Sequence, residues 1–465
     1  MKTIRTINII DPSSSEFNRG SFCYAAYLAY NYLTQSKFEY EVNLFETFIP
    51  EDMDKLPNVD INLVCLWSYP QIETCQMLYN LLPMALDDSN IYFIGYTELI
   101  LHLGLPHAKH VFSFDFLKDR NFILESIKEY PKNYRNFKRL LLSDCDMHLK
   151  KLEVGNNLVY PLFTSYGCPN GCNFCPSTTN CGMTRFSLSI CETLDLLSEC
   201  ISLGINRIHF TDEDFFYDIH RAYGILNGAI ELMGGFNFIA LGSAEAVLRY
   251  ISTYGTDSIR DSGLKIIEIG FESASEEMYD YLGEGKSLTA CETLAQGQLA
   301  YPFDIFWLVQ TFSVGETIAS LNKTGLFMRK YGKNIDEVVG RLRTNGTKGG
   351  LGQYFQAYHG TGIYKRAMKH GKSLTDRPIR LFPSYIPNSF LNSEPKVVYQ
   401  EPYCLPAWEF QIWLDFYQVP TSVVNYLLDT INGELSVSEL CEGYPNSHTK
   451  LYICLAILAR FQIIS

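Results

Sequence analysis

Positive charge is scarce in this chain. Its 465 residues hold 38 Lys and Arg against 51 Asp and Glu, a net charge of −13. Affinity for nucleic acid comes largely from neutralising phosphates, so this balance predicts no nucleic-acid partner. No apolar run reaches the length of a membrane span, and no membrane association is expected. The first segment, Met1-Lys-Thr-Ile-Arg-Thr-Ile-Asn-Ile-Ile10, lacks the apolar core and cleavage site of a signal peptide. The 14 cysteines show no pairing rhythm, which argues against a disulfide framework. These absences predict a cytoplasmic protein. The composition is that of a globular chain, with 47% hydrophobic and 19% charged residues, and the length calls for two or three domains.

Three of the cysteines are not scattered. Cys168, Cys172 and Cys175 lie in the run Tyr166-Gly-Cys-Pro-Asn-Gly-Cys-Asn-Phe-Cys-Pro176. Three thiolates at this spacing can ligate three irons of a [4Fe–4S] cluster and leave the fourth open to another ligand. Gly167, Pro169 and Gly171 let the backbone turn tightly around an inorganic core. Two other readings exist. The trio could join Cys181 in a four-cysteine zinc site, or be unrelated core thiols. Zinc sites more often come as two separated pairs, and core thiols rarely crowd a Gly/Pro loop.

Around this loop the chain alternates short apolar strands with helical segments, the pattern of an α/β protein. Strands are expected at 6–10, 61–67 and 91–95, with helices at 24–33 and 72–85. This first region, 1–145, reads as a Rossmann-like domain whose ligands would lie at the carboxyl ends of its strands. From 155 to 375 the alternation resumes, with strands at 159–164, 207–211, 237–241, 265–271 and 304–312. That suggests a partial (β/α) barrel, with its chemistry again at the carboxyl ends. The region 376–465 ends in three helical segments, at about 423–430, 436–440 and 451–464, and is read as a small winged-helix-like module. Residues 401–465 hold two Lys/Arg against seven Asp/Glu, which disfavours a DNA-reading role for it.

Taken together, these pieces resemble the radical S-adenosylmethionine (SAM) superfamily, in its branch with an N-terminal cobalamin-binding-type domain. The likeness runs through roughly residues 5–375. It rests on the cysteine loop, with Phe174 at the aromatic position before the third cysteine. Ile208-His-Phe-Thr-Asp-Glu-Asp-Phe-Phe216 is similar to the second-strand motif and Ile269-Gly-Phe-Glu-Ser273 to the fourth. Phe312-Ser-Val-Gly-Glu-Thr317 is similar to the fifth-strand turn, and Tyr358-His-Gly-Thr-Gly-Ile-Tyr364 to a late segment of the family. The resemblance implies a [4Fe–4S] cluster on Cys168, Cys172 and Cys175. It also implies SAM, held by Phe174, Asp212, Glu213, Gly270, Glu272, Ser273, Gly315 and Glu316, and an electron donor of flavodoxin or ferredoxin type.

The chemistry suits those residue types. SAM presents an ammonium, ribose hydroxyls and a sulfonium, to which carboxylates such as Asp212, Glu213 or Glu272 are complementary. Gly270 and Gly315 allow the backbone close to a nucleoside. An acidic run after a strand also caps and charges the next helix, so Asp212 has a structural alternative.

Cobalamin is possible in the first domain, but the chain departs from the family there. It has no Asp-x-His-x-x-Gly loop, and Tyr96 adds bulk in Ile94-Gly-Tyr-Thr97, so a structural, unloaded domain stays open. The tail module is similar to leader-peptide recognition domains, which implies a precursor peptide with a leader as partner. The reaction expected first is L-to-D epimerisation of that ribosomally made peptide, as in proteusin-type enzymes. A 5′-deoxyadenosyl radical would take a Cα hydrogen, and a cysteine outside the cluster would return one. Cys404, in Pro402-Tyr-Cys-Leu-Pro-Ala-Trp408, is the first choice of donor and Cys181 the second. The alternatives are a cobalamin-dependent methyltransferase acting on a peptide or small molecule, and a catalytically silent scaffold.

Overall fold

The structure, a computed structural model, describes residues 5–12, 24–34, 40–48, 59–66, 91–95, 109–111, 160–175, 185–202, 204–283, 286–331, 353–354, 361–373, 385–392, 419–446 and 448–461, with a few isolated positions between them. It divides into two compact units. One comprises residues 1–166 with 185–208, the other 167–184 with 209–465.

In the first unit the apolar runs become parallel strands: β1 (Arg5–Pro12), β2 (Tyr40–Phe48), β3 (Ile61–Leu66), β4 (Ile91–Gly95) and β5 (Lys109–Val111). They are ordered β2-β1-β3-β4-β5, with the helix Tyr24–Thr34 between β1 and β2. Ile7, Ile9 and Ile10 are buried, as expected for a sheet covered on its faces. A row of amides crosses it. Asn43 Nδ2 donates to Asn8 Oδ1 at 3.1 Å, and Asn8 Nδ2 to Asn62 Oδ1 at 3.0 Å. A slip of one residue would strand the buried amides of Asn8 and Asn62, so the row pins the register. The order reverses at β1/β3, the switch point where such sheets take ligands. The residues following β1 and β3 there lie outside the described residues, as do the helix expected at 72–85 and Tyr96. The unit also holds β6 (Tyr160–Leu162) and the antiparallel pair β7 (Ser165–Tyr166) and β8 (Phe186–Ser187). Its helix Ile190–Ser202 begins with Ser189 and Glu192 capping each other's backbone amides.

β9 (Arg207–Phe210) carries the chain into the second unit, followed by β10 (Asn237–Gly242), β11 (Leu264–Glu272), β12 (Asp304–Thr311) and β13 (Gln353–Tyr354). Within this unit the strands of the six-stranded sheet run β13-β12-β11-β10-β9, and the registered pairs β10–β11, β11–β12 and β12–β13 are parallel. Helices follow the strands, and one face of the sheet is closed by them. Phe271, Trp307 and Phe327 of the helix Ile318–Tyr331 pack ring against ring there.

The tail forms helices Thr421–Thr430, Val437–Glu442 and His448–Arg460. The last starts before the apolar run and stops short of 464, where the Ile463 amide turns back to the Leu458 carbonyl at 2.8 Å and closes the end. Among the described residues from 419 to 464 these helices are accompanied by no strand. The module is no loose appendage. Every residue from Leu451 to Arg460 is buried, in a core shared with Phe312, Ile318 and Leu321. Gly325 permits that docking, since a Cβ there would run into the carbonyl oxygen of Arg460. Gly325→Ala gains about 1 kcal/mol of helix propensity, but overpacking against rigid backbone costs about 1–3 kcal/mol. A lowered Tm is expected, with Leu326→Ala on the exposed side as a near-neutral control; an unchanged or raised Tm would show that the helices can part at no cost.

Candidate functional site

The loop Gly167–Cys175 turns through two left-handed glycines, Gly167 at φ 89° and Gly171 at φ 68°, so a side chain at either would be strained. It is tied to the carboxyl ends of the strands of its own unit. Asn170 Nδ2 donates to Asp214 Oδ2 at 2.9 Å, and the Asn173 amide donates to the Leu282 carbonyl at 2.9 Å. The Ile363 amide in turn donates to the Asn173 carbonyl. Phe174 packs with Tyr281 against Val314, Ile363 and Ala367, which brings the loop beside the turn that follows β12.

Burial pushes the Cys168 thiol up to about 12, and the charges of Asp214, Cys175 and Glu213 add to the rise. Burial likewise pushes Cys172 up to about 11, against the pull of Lys286. Thiolates here therefore call for a cationic partner, which bound iron supplies. Among the described residues no three His, Cys, Asp or Glu converge as a single metal ion requires. A cluster does not require it, because each cysteine takes its own iron. Cys181 lies outside the described residues.

Two residues at the carboxyl ends of adjacent strands have left-handed backbones without being glycine: Glu272 at φ 65° ending β11, and Phe312 at φ 67° just after β12. Such conformations cost of order 1–3 kcal/mol and gather at functional sites. The β11–β12 register also shifts between Gly270 and Glu272, a local irregularity that re-aims the side chain. Glu272 meets Lys286, whose Nζ stands 3.3 Å from Glu272 Oε1 and donates to the Gly270 carbonyl at 2.8 Å. The ammonium lies 5.9 Å from the centre of the Phe174 ring. Burial raises the Glu272 carboxyl, while Lys286 and a bond from Gln310 hold it back. Burial also works against the Lys286 charge, but Glu272 and Cys172 outweigh it and its pKa is raised. The proton therefore stays on the lysine. A methyl group on Gly270 would collide with that ammonium, so Gly270 makes room for it.

The other residues singled out by motif are placed as follows. Asp212 is fully buried, with Oδ2 3.8 Å from Arg221 of the helix Ile219–Glu231, the structural alternative for this residue. Two residues on, Asp214 accepts from both Asn170 and Ser243 and adjoins the cysteine loop. Glu213 acts on Cys168 by charge. Ser273 bonds Thr324 Oγ1 at 3.2 Å, toward the helix Ile318–Tyr331. Gly315 turns beneath the Tyr281 ring, and Glu316 is buried against Ser320 with Arg460 as its neighbouring charge. Cys404 lies outside the described residues. Lys286, Asp214, Gln310 and Glu245 are the additions. Burial raises the Glu245 carboxyl, and Lys286 is one of the charges that pull it back. Asp214 lies in the acidic run of the second-strand motif, and Lys286 in the Gly-rich stretch Leu282-Gly-Glu-Gly-Lys286; Gln310 and Glu245 carried no comparable signal.

Thr211 Oγ1, Gln310 Oε1 and Ser313 Oγ are buried here without a protein partner. Polar atoms left so at the mouth of a parallel sheet suit a polar ligand.

The chain matches no protein-family model and no curated protein sequence. Among solved structures it is similar to the cobalamin-dependent S-adenosylmethionine radical enzyme OxsB with aqua-cobalamin and S-adenosylmethionine bound. The identity is 14%, covering 98% of this chain and 72% of that one, with a TM-score of 0.53. A structure of the radical S-adenosylmethionine methyltransferase TsrM from Kitasatospora setae, with cobalamin and a [4Fe–4S] cluster, is 12% identical. It covers 70% of this chain and 73% of that one at a TM-score of 0.49. At these identities the likeness is one of fold.

Proposed function

We propose that this chain is a radical SAM enzyme whose first unit serves cobalamin, with methyl transfer to a peptide or small molecule as its reaction. The observation that carries the first part is the tethering of the three-cysteine loop to a strand-end site with unpartnered polar atoms. Cys168, Cys172 and Cys175 would hold the cluster. Lys286 would face the carboxylate of SAM, with Glu213, Glu272 and Gln310 as acceptors for its donors. When bound, the cluster supplies one electron to the sulfonium and cobalamin supplies a methyl group that can be passed on. The chain's own part is to keep Lys286 protonated, hold Glu272 in its strained position and exclude water around Cys172. An electron donor of flavodoxin or ferredoxin type belongs to this reading.

Cobalamin chemistry is placed ahead of the epimerisation expected from sequence because the fold likeness to OxsB extends over nearly the whole chain, first unit included. A precursor peptide with a leader and a returning cysteine belong to the epimerase reading, which gains no support from these neighbours. The test is anaerobic reconstitution with iron, sulfide and hydroxocobalamin, followed by SAM, strong reductant and a co-expressed candidate peptide. A retained corrin band with a mass gain of one methyl group is the expected result. Solvent deuterium at a Cα with no corrin bound would restore epimerisation. Absence of any SAM cleavage would overturn both.

A further inference from the structure

Glu272 stands at the centre of a three-residue turn. The Ser273 amide donates to the Phe271 carbonyl at 2.8 Å, and Glu272 between them has φ 65°. A bond across one residue of positive φ marks the rare, strained hand of the γ-turn. Such a backbone persists only where its surroundings over-determine it. What holds it therefore decides where the Glu272 carboxylate sits, and with it the Lys286 ammonium 3.3 Å away.

Two side chains clamp the turn, one on each side of Glu272. Before it, Tyr279 Oη, from the helix Glu276–Leu282, donates to the same Phe271 carbonyl at 2.6 Å. After it, Thr324 of the helix Ile318–Tyr331 acts as a hub. The Ala274 amide donates to Thr324 Oγ1 at 3.0 Å, and Thr324 Oγ1 donates to the Ser320 carbonyl at 3.0 Å. A hydroxyl has one proton and two lone pairs, so the second lone pair accepts from Ser273 Oγ, 3.2 Å away. Ser273 Oγ in turn accepts from the Ser275 amide at 3.3 Å. Thr324, Ser273 and Ser275 are all buried, where a donor that loses its acceptor is not compensated by solvent. The helix carrying the hub is fixed by the tail, through Asn322 Nδ2 donating to the Ile464 carbonyl and the contact of Gly325 with Arg460. One turn earlier, its Ser320 hydroxyl donates to Glu316, in the turn of the other left-handed residue, Phe312.

We propose that Thr324 and Tyr279 are positioning residues that hold the Glu272 turn, and through it Lys286, in the arrangement that receives SAM. Neither belongs to a motif of the site, and both act through the backbone of residues 271–274. The site is thus shaped before its ligand arrives, which spares the ligand the cost of ordering it. The proposal rests on the radical SAM reading and adds to it the residues that set the geometry of the ligand pair.

The full chain, reconstituted anaerobically with iron and sulfide, is titrated with SAM by equilibrium dialysis. Hydrogen exchange without SAM is followed over peptides containing Ala274 and Ser275. Thr324→Val should weaken SAM binding about tenfold, the loss of one well-placed bond to a charged group. It should also speed exchange of the two amides. Thr324→Ser keeps the hydroxyl and should restore both readings. Tyr279→Phe should weaken SAM binding likewise. Tyr250→Phe removes a buried hydroxyl bonded to Ser258 on other helices of the unit, and should change neither reading. An unchanged SAM affinity in Thr324→Val or in Tyr279→Phe overturns the role of that residue. So does a loss that Thr324→Ser fails to rescue, or one that Tyr250→Phe reproduces. Should Thr324→Val fail to fold, Tyr279→Phe compared with Tyr250→Phe decides. If the unaltered chain binds no SAM, the radical SAM reading falls by itself. Exchange then judges the clamp alone: faster exchange in Thr324→Val supports it and unchanged exchange refutes it.

Discussion

Cys172→Ala, reconstituted anaerobically, is expected to lose the broad iron–sulfur absorbance and to yield no 5′-deoxyadenosine from SAM. Cys172 is the most buried of the three cysteines and the one nearest the Lys286–Glu272 pair in charge terms. Its loss leaves two ligands in the described loop, too few to hold a cluster with a single open iron. The control is Cys200→Ala, on the helix Ile190–Ser202. That thiol is also buried and pushed up to about 12, but no described cysteine or lysine charge is coupled to it. Burial is thus matched and only the loop membership differs. Cys200→Ala should keep both absorbance and cleavage. A cluster that survives in Cys172→Ala, with iron and sulfide content unchanged, would take this cysteine out of the site.

Glu316→Gln should make the protein less sensitive to alkali. Burial pushes the Glu316 carboxyl up to about 7, although Ser320, Arg460 and backbone donors of the Ser313 turn draw it down. A carboxyl whose folded-state pKa lies above the ordinary 4.5 stabilises the fold fully below that value. The contribution is then lost as pH rises through about 7. The difference amounts to about 3 kcal/mol. Urea unfolding should show the unaltered chain losing stability between mildly acid and mildly alkaline pH, with the glutamine variant flatter across the same window. The variant should be the more stable at the alkaline end, and parallel curves would refute the assignment. Glu316 also stands in the turn whose family resemblance implies SAM contact. An unchanged SAM affinity in Glu316→Gln would confine it to joining the sheet end to the tail helices; a weakened one would add the ligand contact.

Much of the fold was legible in the sequence because its causes are local. Ile61–Leu66, Asn237–Gly242 and Asp304–Thr311 stand within a residue of the apolar runs that announced them, since a buried parallel strand needs little more than such a run. The tail helices were legible for a related reason, their caps and turns being written in Ser436, Glu439 and Gly433. The site was legible in part. Phe174 and Glu272 both stand near Lys286, and of the acidic run 212–214 it is Asp214 that accepts a bond from the cysteine loop. Which of three successive carboxylates faces the loop depends on how the chain turns after β9. Composition says nothing about that turn.

The sequence by itself determined the cysteine loop and the α/β alternation, because three thiols within eight residues and a strand every few dozen are short-range facts. The tertiary structure alone decided what faces those thiols. Lys286 reaches Glu272 across a loop, His209 reaches Glu268 across an intervening strand, and Arg460 lies near Glu316 from a helix at the far end of the chain. Each meeting depends on strand order, sheet curvature or helix docking. Those are settled by where apolar surface can be buried, not by any spacing along the chain.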